Sequence, residues 1–179
     1  MGEYDKSGAA LREYIWLDDV PVAMFTPGAT ASAAPIVYYI HTDHLNTPRV
    51  VTDTAGNLRW RWIADPFGTA VPETNPAGLG AFVQNLRFPG QVADGETGLF
   101  YNMARYYDPM IGRYVESDPI GLQGGINTYA YVGGNPLSYM DPLGLYTEIV
   151  YWHGVGVGES QFGHISTNIN GNNYSWGPP

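Results

Sequence analysis

Short apolar-polar alternations, each ended after a few residues by Gly, Pro, Asn or Asp, fill most of this chain. Residues 1–25 read as turn, strand, turn, strand. Asp5-Lys6-Ser7-Gly8 turns, residues 9–16 extend, Leu17-Asp18-Asp19 turns again, and residues 20–25 extend. Asp bonds to backbone ahead of it and Gly accepts positive φ, so Asp-x-x-Gly suits a tight turn. Residues 26–35 are small and low in complexity and read as a surface loop. Residues 36–41 and 48–52 are rich in Tyr and β-branched side chains and predict two more strands. Asp53-Thr54-Ala55-Gly56 then turns into Asn57-Leu58-Arg59-Trp60-Arg61-Trp62. A two-residue period puts Trp60 and Trp62 on one face there and Arg59 and Arg61 on the other.

The turn-then-strand unit recurs. Asp5-x-x-Gly8 before Leu11-Arg12 matches Asp53-x-x-Gly56 before Leu58-Arg59. Asp94-Gly95-Glu96-Thr97-Gly98-Leu99-Phe100-Tyr101 leads in the same way to the segment from Arg105 to Tyr114. Recurring Tyr-Asp hairpins signal a repeat architecture in which each unit buries one face on its neighbours. The predicted fold is all-β. Residues 71–79, with Pro72, Asn75, Pro76 and Gly78, predict a loop. Residues 81–86 fit a short helix and a strand equally well.

Composition narrows the function. The chain is 44% hydrophobic, too apolar for a disordered tail. Its net charge of -9, with a single lysine (Lys6), argues against a nucleic-acid surface, which needs clustered cations. No cysteine is present, so disulfides and thiolate chemistry are excluded. No apolar run is long enough to span a bilayer, and no charged-then-apolar leader opens the chain. His41-Thr42-Asp43-His44 resembles a metal-ligand cluster, but on a strand His41 and Asp43 point opposite to His44, so no metal or cofactor is expected. Trp60, Trp62 and the Arg stripe read as hairpin packing.

Two Asp-Pro-x-Gly units stand out, Asp118-Pro119-Ile120-Gly121 and Asp141-Pro142-Leu143-Gly144. The plain reading is a type I turn, with Asp at the first position, Pro at the second and Gly at the fourth. Asp65-Pro66-Phe67-Gly68 repeats the pattern with no evident chemical role and serves as an internal control.

Taken in order, several segments resemble the C-terminal core region of the Rhs/YD-repeat proteins. They are Tyr39-Ile40-His41-Thr42-Asp43-His44-Leu45, Asp65-Pro66-Phe67-Gly68, Leu86-Arg87-Phe88-Pro89-Gly90-Gln91 and Glu96-Thr97-Gly98-Leu99. The likeness continues from Tyr101 through Arg105-Tyr106-Tyr107-Asp108-Pro109 to Leu145. It implies spiralling YD-repeat β-hairpins forming the closing end of a hollow shell around a C-terminal toxin. It also implies an aspartyl autoprotease that cuts after the last Leu of Pro-x4-Asp-Pro-x-Gly-Leu. Here that motif is Pro136, Asp141, Pro142, Gly144 and Leu145, which makes Leu145-Tyr146 the scissile bond. Two domains follow, a shell end over residues 1–145 and the opening of a variable toxin over residues 146–179. The implied partners are the chain's own toxin segment, the upstream Rhs shell, a secretion-system carrier and an immunity protein. The implied location is secreted or delivered from a bacterial cell within a larger protein, cytoplasmic before export.

Aspartyl hydrolysis needs one ionised carboxylate to activate water and one protonated carboxyl to steady the tetrahedral intermediate. Two neighbouring carboxyls sharing a proton meet that need, and Asp118 and Asp141 are the candidates. Pro119, Gly121, Pro136, Pro142 and Gly144 are the turn residues expected to hold them. Alternating residues 126–132 predict a strand between the two, turned at Gly133-Gly134-Asn135-Pro136. A substrate bond four residues beyond Asp141 makes attack intramolecular and limits each chain to one event.

From Tyr146 onward lie 34 residues (146–179) with two acids, Glu148 and Glu159, and no Lys or Arg. Residues 147–152 predict a strand, and Asn170-Gly171 predicts a hairpin turn between residues 164–169 and 174–176. Gly154-x-Gly156-x-Gly158 is a weak phosphate-loop match without a helix after it. His164 reads as a hairpin histidine, since no cysteine accompanies it. Thirty-four residues are too few for an independent enzyme core. The competing functions are a non-enzymatic β-repeat module for surface binding, or an inactive remnant.

Overall fold

The computed structural model describes residues 1–30 and 32–145, and the backbone of three strands within residues 147–176. Tyr146, the 154–158 glycine run, His164 and the Asn170-Gly171 turn lie outside the described residues. The described residues are antiparallel β with two short 3-10 turns, so the all-β expectation holds. No helix among them is long and apolar enough to cross a membrane.

The chain forms two compact units: residues 1–65 with 70–84, and residues 66–69 with 85–179. The first unit is a six-stranded antiparallel sheet in sequence order: β1 Gly2–Tyr4, β2 Ala10–Leu17, β3 Val20–Thr26, β4 Ile36–Thr42, β5 Pro48–Asp53 and β6 Leu58–Arg61. Strand β1 was not foreseen. Alternation puts one core row across the sheet. Tyr14 opposes Met24, Met24 opposes Tyr38, Ile40 opposes Val51 and Val51 opposes Trp60, and all six are buried. Trp60 and Trp62 are both enclosed, as their shared face requires. The Trp62 indole donates to the Ala70 carbonyl at 2.7 Å. The Arg59 guanidinium sits over the Tyr38 and Phe82 rings at 5.8 and 5.5 Å, so its stem covers core while its charge meets aromatic faces.

The predicted turns form with the expected bonds. Gly8 N–H donates to Asp5 O, Gly56 N–H to Asp53 O and Gly98 N–H to Asp94 O. Each Asp side chain also accepts a backbone N–H two residues ahead. Residues 81–86 are neither helix nor strand; their only regular element is a bridge from Leu86 to Val92.

The second unit has a four-stranded sheet of β7 Val92–Ala93, β8 Phe100–Asn102, β9 Arg105–Asp108 and β10 Arg113–Tyr114. Its core is aromatic. Tyr107 packs on Tyr131 at 4.6 Å between ring centres and edge-on to Tyr114 at 6.0 Å, with Phe88 on Tyr131 at 5.8 Å. Strands β8 and β9 join through a two-residue connection in which Met103 takes φ 49°, setting Asn102 opposite Arg105.

The strand expected over residues 126–132 is absent. Residues 121–134 instead carry 3-10 turns at Gly121–Gly124 and Val132–Gly134, with one bridge from Ala130 to Arg113. Burial shows why the alternation misled. Ile126 is 97% exposed, whereas the consecutive Tyr131 and Val132 are both buried. A chain with Gly at 121, 124, 125, 133 and 134 loses much entropy on extending and gains little packing in return. The turn at Gly133-Gly134 does form, with Gly134 N–H bonded to Tyr131 O.

Backbone alone describes a third sheet of β11 Thr147–Tyr151, β12 Ile165–Ile169 and β13 Asn172–Trp176. Strands β12 and β13 pair antiparallel with Ile169 opposite Asn172, which leaves residues 170 and 171 as their connection.

Candidate active site

Both Asp-Pro-x-Gly units of interest are turns. Gly121 N–H donates to Asp118 O at 2.9 Å and Ile120 N–H to Asp118 Oδ1 at 2.9 Å. Gly144 N–H lies 3.4 Å from Asp141 O, and Leu145 N–H donates to Asp141 Oδ1 at 3.0 Å. Proline fixes the second residue, and Gly121 and Gly144 take the left-handed conformation at φ 62° and 67°. Pro136 is buried and opens the turn that follows Asn135. The control at Asp65 also makes a turn, over Pro66 and Phe67.

Asp118 and Asp141 differ from surface turn residues in their depth. Each keeps one carboxylate oxygen for its own turn and sends Oδ2 inward to a common partner. Arg105 Nη2 lies 3.1 Å from Asp118 Oδ2 and 3.3 Å from Asp141 Oδ2, and all three side chains are at most 2% exposed. Two oxygens held by one nitrogen at hydrogen-bond range are within roughly 6 Å of each other. The Arg105 guanidinium is used on every side. Nε donates to Gly144 O at 2.6 Å and Nη1 to Thr128 O at 3.1 Å. Its carbon lies 3.6 Å from the centre of the Tyr114 ring. Planar donors in a fixed fork suit this job better than an ammonium would.

Tyr114 closes the inner side. Its hydroxyl donates to Asp141 Oδ2 at 2.7 Å and accepts from Asn102 Nδ2 at 2.7 Å. The same Asn102 Nδ2 donates to Asp141 O at 2.9 Å. Burial first, then the Asp141 carboxylate, pushes the Tyr114 phenol well above its ordinary pKa, with Arg105 pulling the other way. Tyr114 therefore stays an O–H donor.

Close backbone approach completes the site. A Cβ on Gly124 would lie 2.6 Å from Asp118 Oδ2, one on Gly90 2.1 Å from Pro142 O, and one on Gly144 2.3 Å from Asn102 O. Only hydrogen fits at these three positions.

A family model for the Teneurin YD-shell matches residues 31–130. The chain belongs to the Teneurin YD-shell family, and it is an Rhs/YD-repeat protein. This YD-shell chain is 44% identical over 114 residues to toxin protein Tse5 of Pseudomonas aeruginosa, a match that spans 64% of the chain and 8% of Tse5. It is 41% identical over 116 residues to double-stranded DNA deaminase toxin A of Burkholderia cenocepacia, again 65% of the chain and 8% of the relative. Among solved structures, the crystal structure of TcdB2-TccC3-TEV aligns with 79% of the YD-shell chain at 25% identity and a TM-score of 0.58, over 7% of its own length. The chain thus spans under a tenth of the length of these relatives.

Reading the YD-shell chain as sequence singled out Asp118 and Asp141 but no role for Arg105, Tyr114 or Asn102. One signal was available. Cations are scarce here, eight in all, and Arg105 alternates with Tyr106 so as to share a face with Tyr107. The His41-Asp43-His44 cluster is occupied by turn chemistry. Asp43 Oδ1 accepts Leu45 and Thr47 N–H, its Oδ2 accepts Arg49 Nε at 2.9 Å, and His41 Nε2 is 3.0 Å from Thr52 Oγ1. No group of metal-ligating side chains occurs among the described residues.

Proposed function

We propose that this YD-shell chain is the closing end of a toxin shell and cuts itself between Leu145 and Tyr146 with Asp118 and Asp141. The observation that carries this reading is their convergence on Arg105, one turn before Leu145. Leu145 N–H is bound to Asp141 Oδ1 at 3.0 Å, and the carbonyl carbon to be attacked is two covalent bonds from that nitrogen. Arg105 Nε holds the preceding carbonyl, that of Gly144. The substrate backbone is thereby clamped on its N-terminal side, which supplies orientation without a separate binding step.

The chemistry balances as water addition. One carboxylate of the pair takes a proton from water as its oxygen bonds to the Leu145 carbonyl carbon, and the other carboxyl gives its proton to the carbonyl oxygen. Collapse of the tetrahedral intermediate breaks the C–N bond, and the Tyr146 amine leaves with a proton. One guanidinium facing two carboxyls makes the group neutral when the pair holds a single proton, the state this sequence of steps starts from. The roles belong to the pair, not to either residue alone.

Residues 1–145 are then the shell end and residues from 146 onward the start of the released toxin. The similarity to two proteins named as toxins supports this reading. A larger upstream shell, a secretion-system carrier and an immunity protein are the partners it calls for, with delivery from a bacterial cell.

The test is the intact mass of freshly made protein beside Asp118→Asn and Asp141→Asn. A break after Leu145 in the wild type alone is expected. A wild-type chain that folds yet stays whole would overturn the reading.

A further inference from the structure

The cleavage steps above do not use the phenol of Tyr114, yet the site is built around it. Tyr114 is fully buried, and its hydroxyl and one ring face meet groups of the site. Its hydroxyl donates to Asp141 Oδ2 and accepts from Asn102 Nδ2, each at 2.7 Å, and Asn102 Nδ2 also holds the Asp141 carbonyl at 2.9 Å. One face of its ring carries the Arg105 guanidinium, and its edge packs on Tyr107 and Tyr131. Side chain and backbone of Asp141 are therefore tied to a single Tyr-Asn couple reaching in from β10 and β8.

We propose that Tyr114 is a positioning residue for cleavage after Leu145, acting through Asp141. By fixing Oδ2, the hydroxyl turns the carboxylate so that Oδ1 stays on Leu145 N–H beside the bond to be cut. This inference rests on the autoproteolytic reading. A tyrosine that only filled the core would act through its ring, and the ring and the hydroxyl separate cleanly by substitution.

Tyr114→Phe keeps the ring stack and removes only the O–H. Cleavage is followed in the full chain from its synthesis in a cell-free system, alongside hydrogen exchange of the amides in β8, β9 and β10. The expected result is a slowing of about 10- to 100-fold, the worth of one buried hydrogen bond to a charged group. Amide protection should stay at the wild-type level, because the ring contacts with Tyr107 and Tyr131 are kept. Arg105, the Tyr114 hydroxyl and the Leu145 N–H all bond to the Asp141 carboxylate, and of these only the hydroxyl is removed. Tyr114→3-fluorotyrosine keeps the shape and makes the phenol a stronger donor, and should cut at least as fast as the wild type. Tyr114→Phe cutting at the wild-type rate would overturn the proposal and leave the autoprotease standing. Should Tyr114→Phe fail to fold, a folded fluorotyrosine protein that cuts more slowly than the wild type overturns it instead. An uncut wild type would remove the reading beneath it.

Discussion

Arg105→Met is the sharpest perturbation the structure offers. Methionine matches the length of the arginine stem but leaves Asp118 and Asp141 facing each other without a cation, and strips the donors from Gly144 O and Thr128 O. Breaking a buried ion pair by removing one partner costs about 3–5 kcal/mol, because the other charge stays desolvated. The pair's negative charge is left without a cation here, so a loss within that range is expected at pH 7. Adding Asp118→Asn and Asp141→Asn to Arg105→Met should recover most of the loss, a coupling that independent sites would not show. The probe must be chosen with care. Trp16, Trp60 and Trp62, the tryptophans whose side chains are described, all lie in the first unit, so their fluorescence does not report on this site. Hydrogen exchange of amides in β8, β9 and β10 does. A loss below about 1 kcal/mol, or a triple variant whose losses simply add, would refute the argument that Arg105 offsets the charge of the buried pair.

Gly124→Ala places a methyl 2.6 Å from Asp118 Oδ2 at a position outside the left-handed region, so its effect is steric and local. Self-cleavage should slow by at least about 10-fold, since small misplacements in a reacting group cost this much or more; an unchanged time course would show that Asp118 has room to spare. In the first unit, Trp60→Ala should cost about 3–5 kcal/mol, because the indole is 1% exposed and central to the core row; urea unfolding read by the fluorescence of the remaining tryptophans measures it. Asp5, Asp53 and Asp94 carry depressed pKa values, led by side-chain hydrogen bonds to Ser7 and Asn57 for the first two and by the Glu96 N–H for the third. A folded pKa below the unfolded one means that their stabilisation is present above the unfolded value, near 4, and fades as pH falls through the folded value. Carboxyl chemical shifts followed from pH 6 to 2 should therefore titrate late, and midpoints at the free-peptide value would refute the turn bonding.

Much of the fold was written in local order. Alternation over residues 36–41 and 48–52, and the Trp60/Trp62 face, predicted β4, β5 and β6 to within a residue or two. Asp-x-x-Gly predicted the turns at Asp5 and Asp53 because both of its bonds lie within four residues. Alternation failed over residues 126–132, where apolar and polar side chains take turns but the glycines around them favour turns over a strand. The Asp118 and Asp141 turns were equally local, and equally legible. That they point their second oxygens at one arginine was not, because Arg105 stands 36 residues from Asp141 and Tyr114 stands 27. Composition and motif determined that this chain is a Tyr-rich β-repeat with Asp-Pro-x-Gly turns. Only packing decided that two of those turns are buried on a cation. A turn needs its own four residues, whereas neutralising a buried charge requires partners that the chain brings close only once the aromatic core has formed.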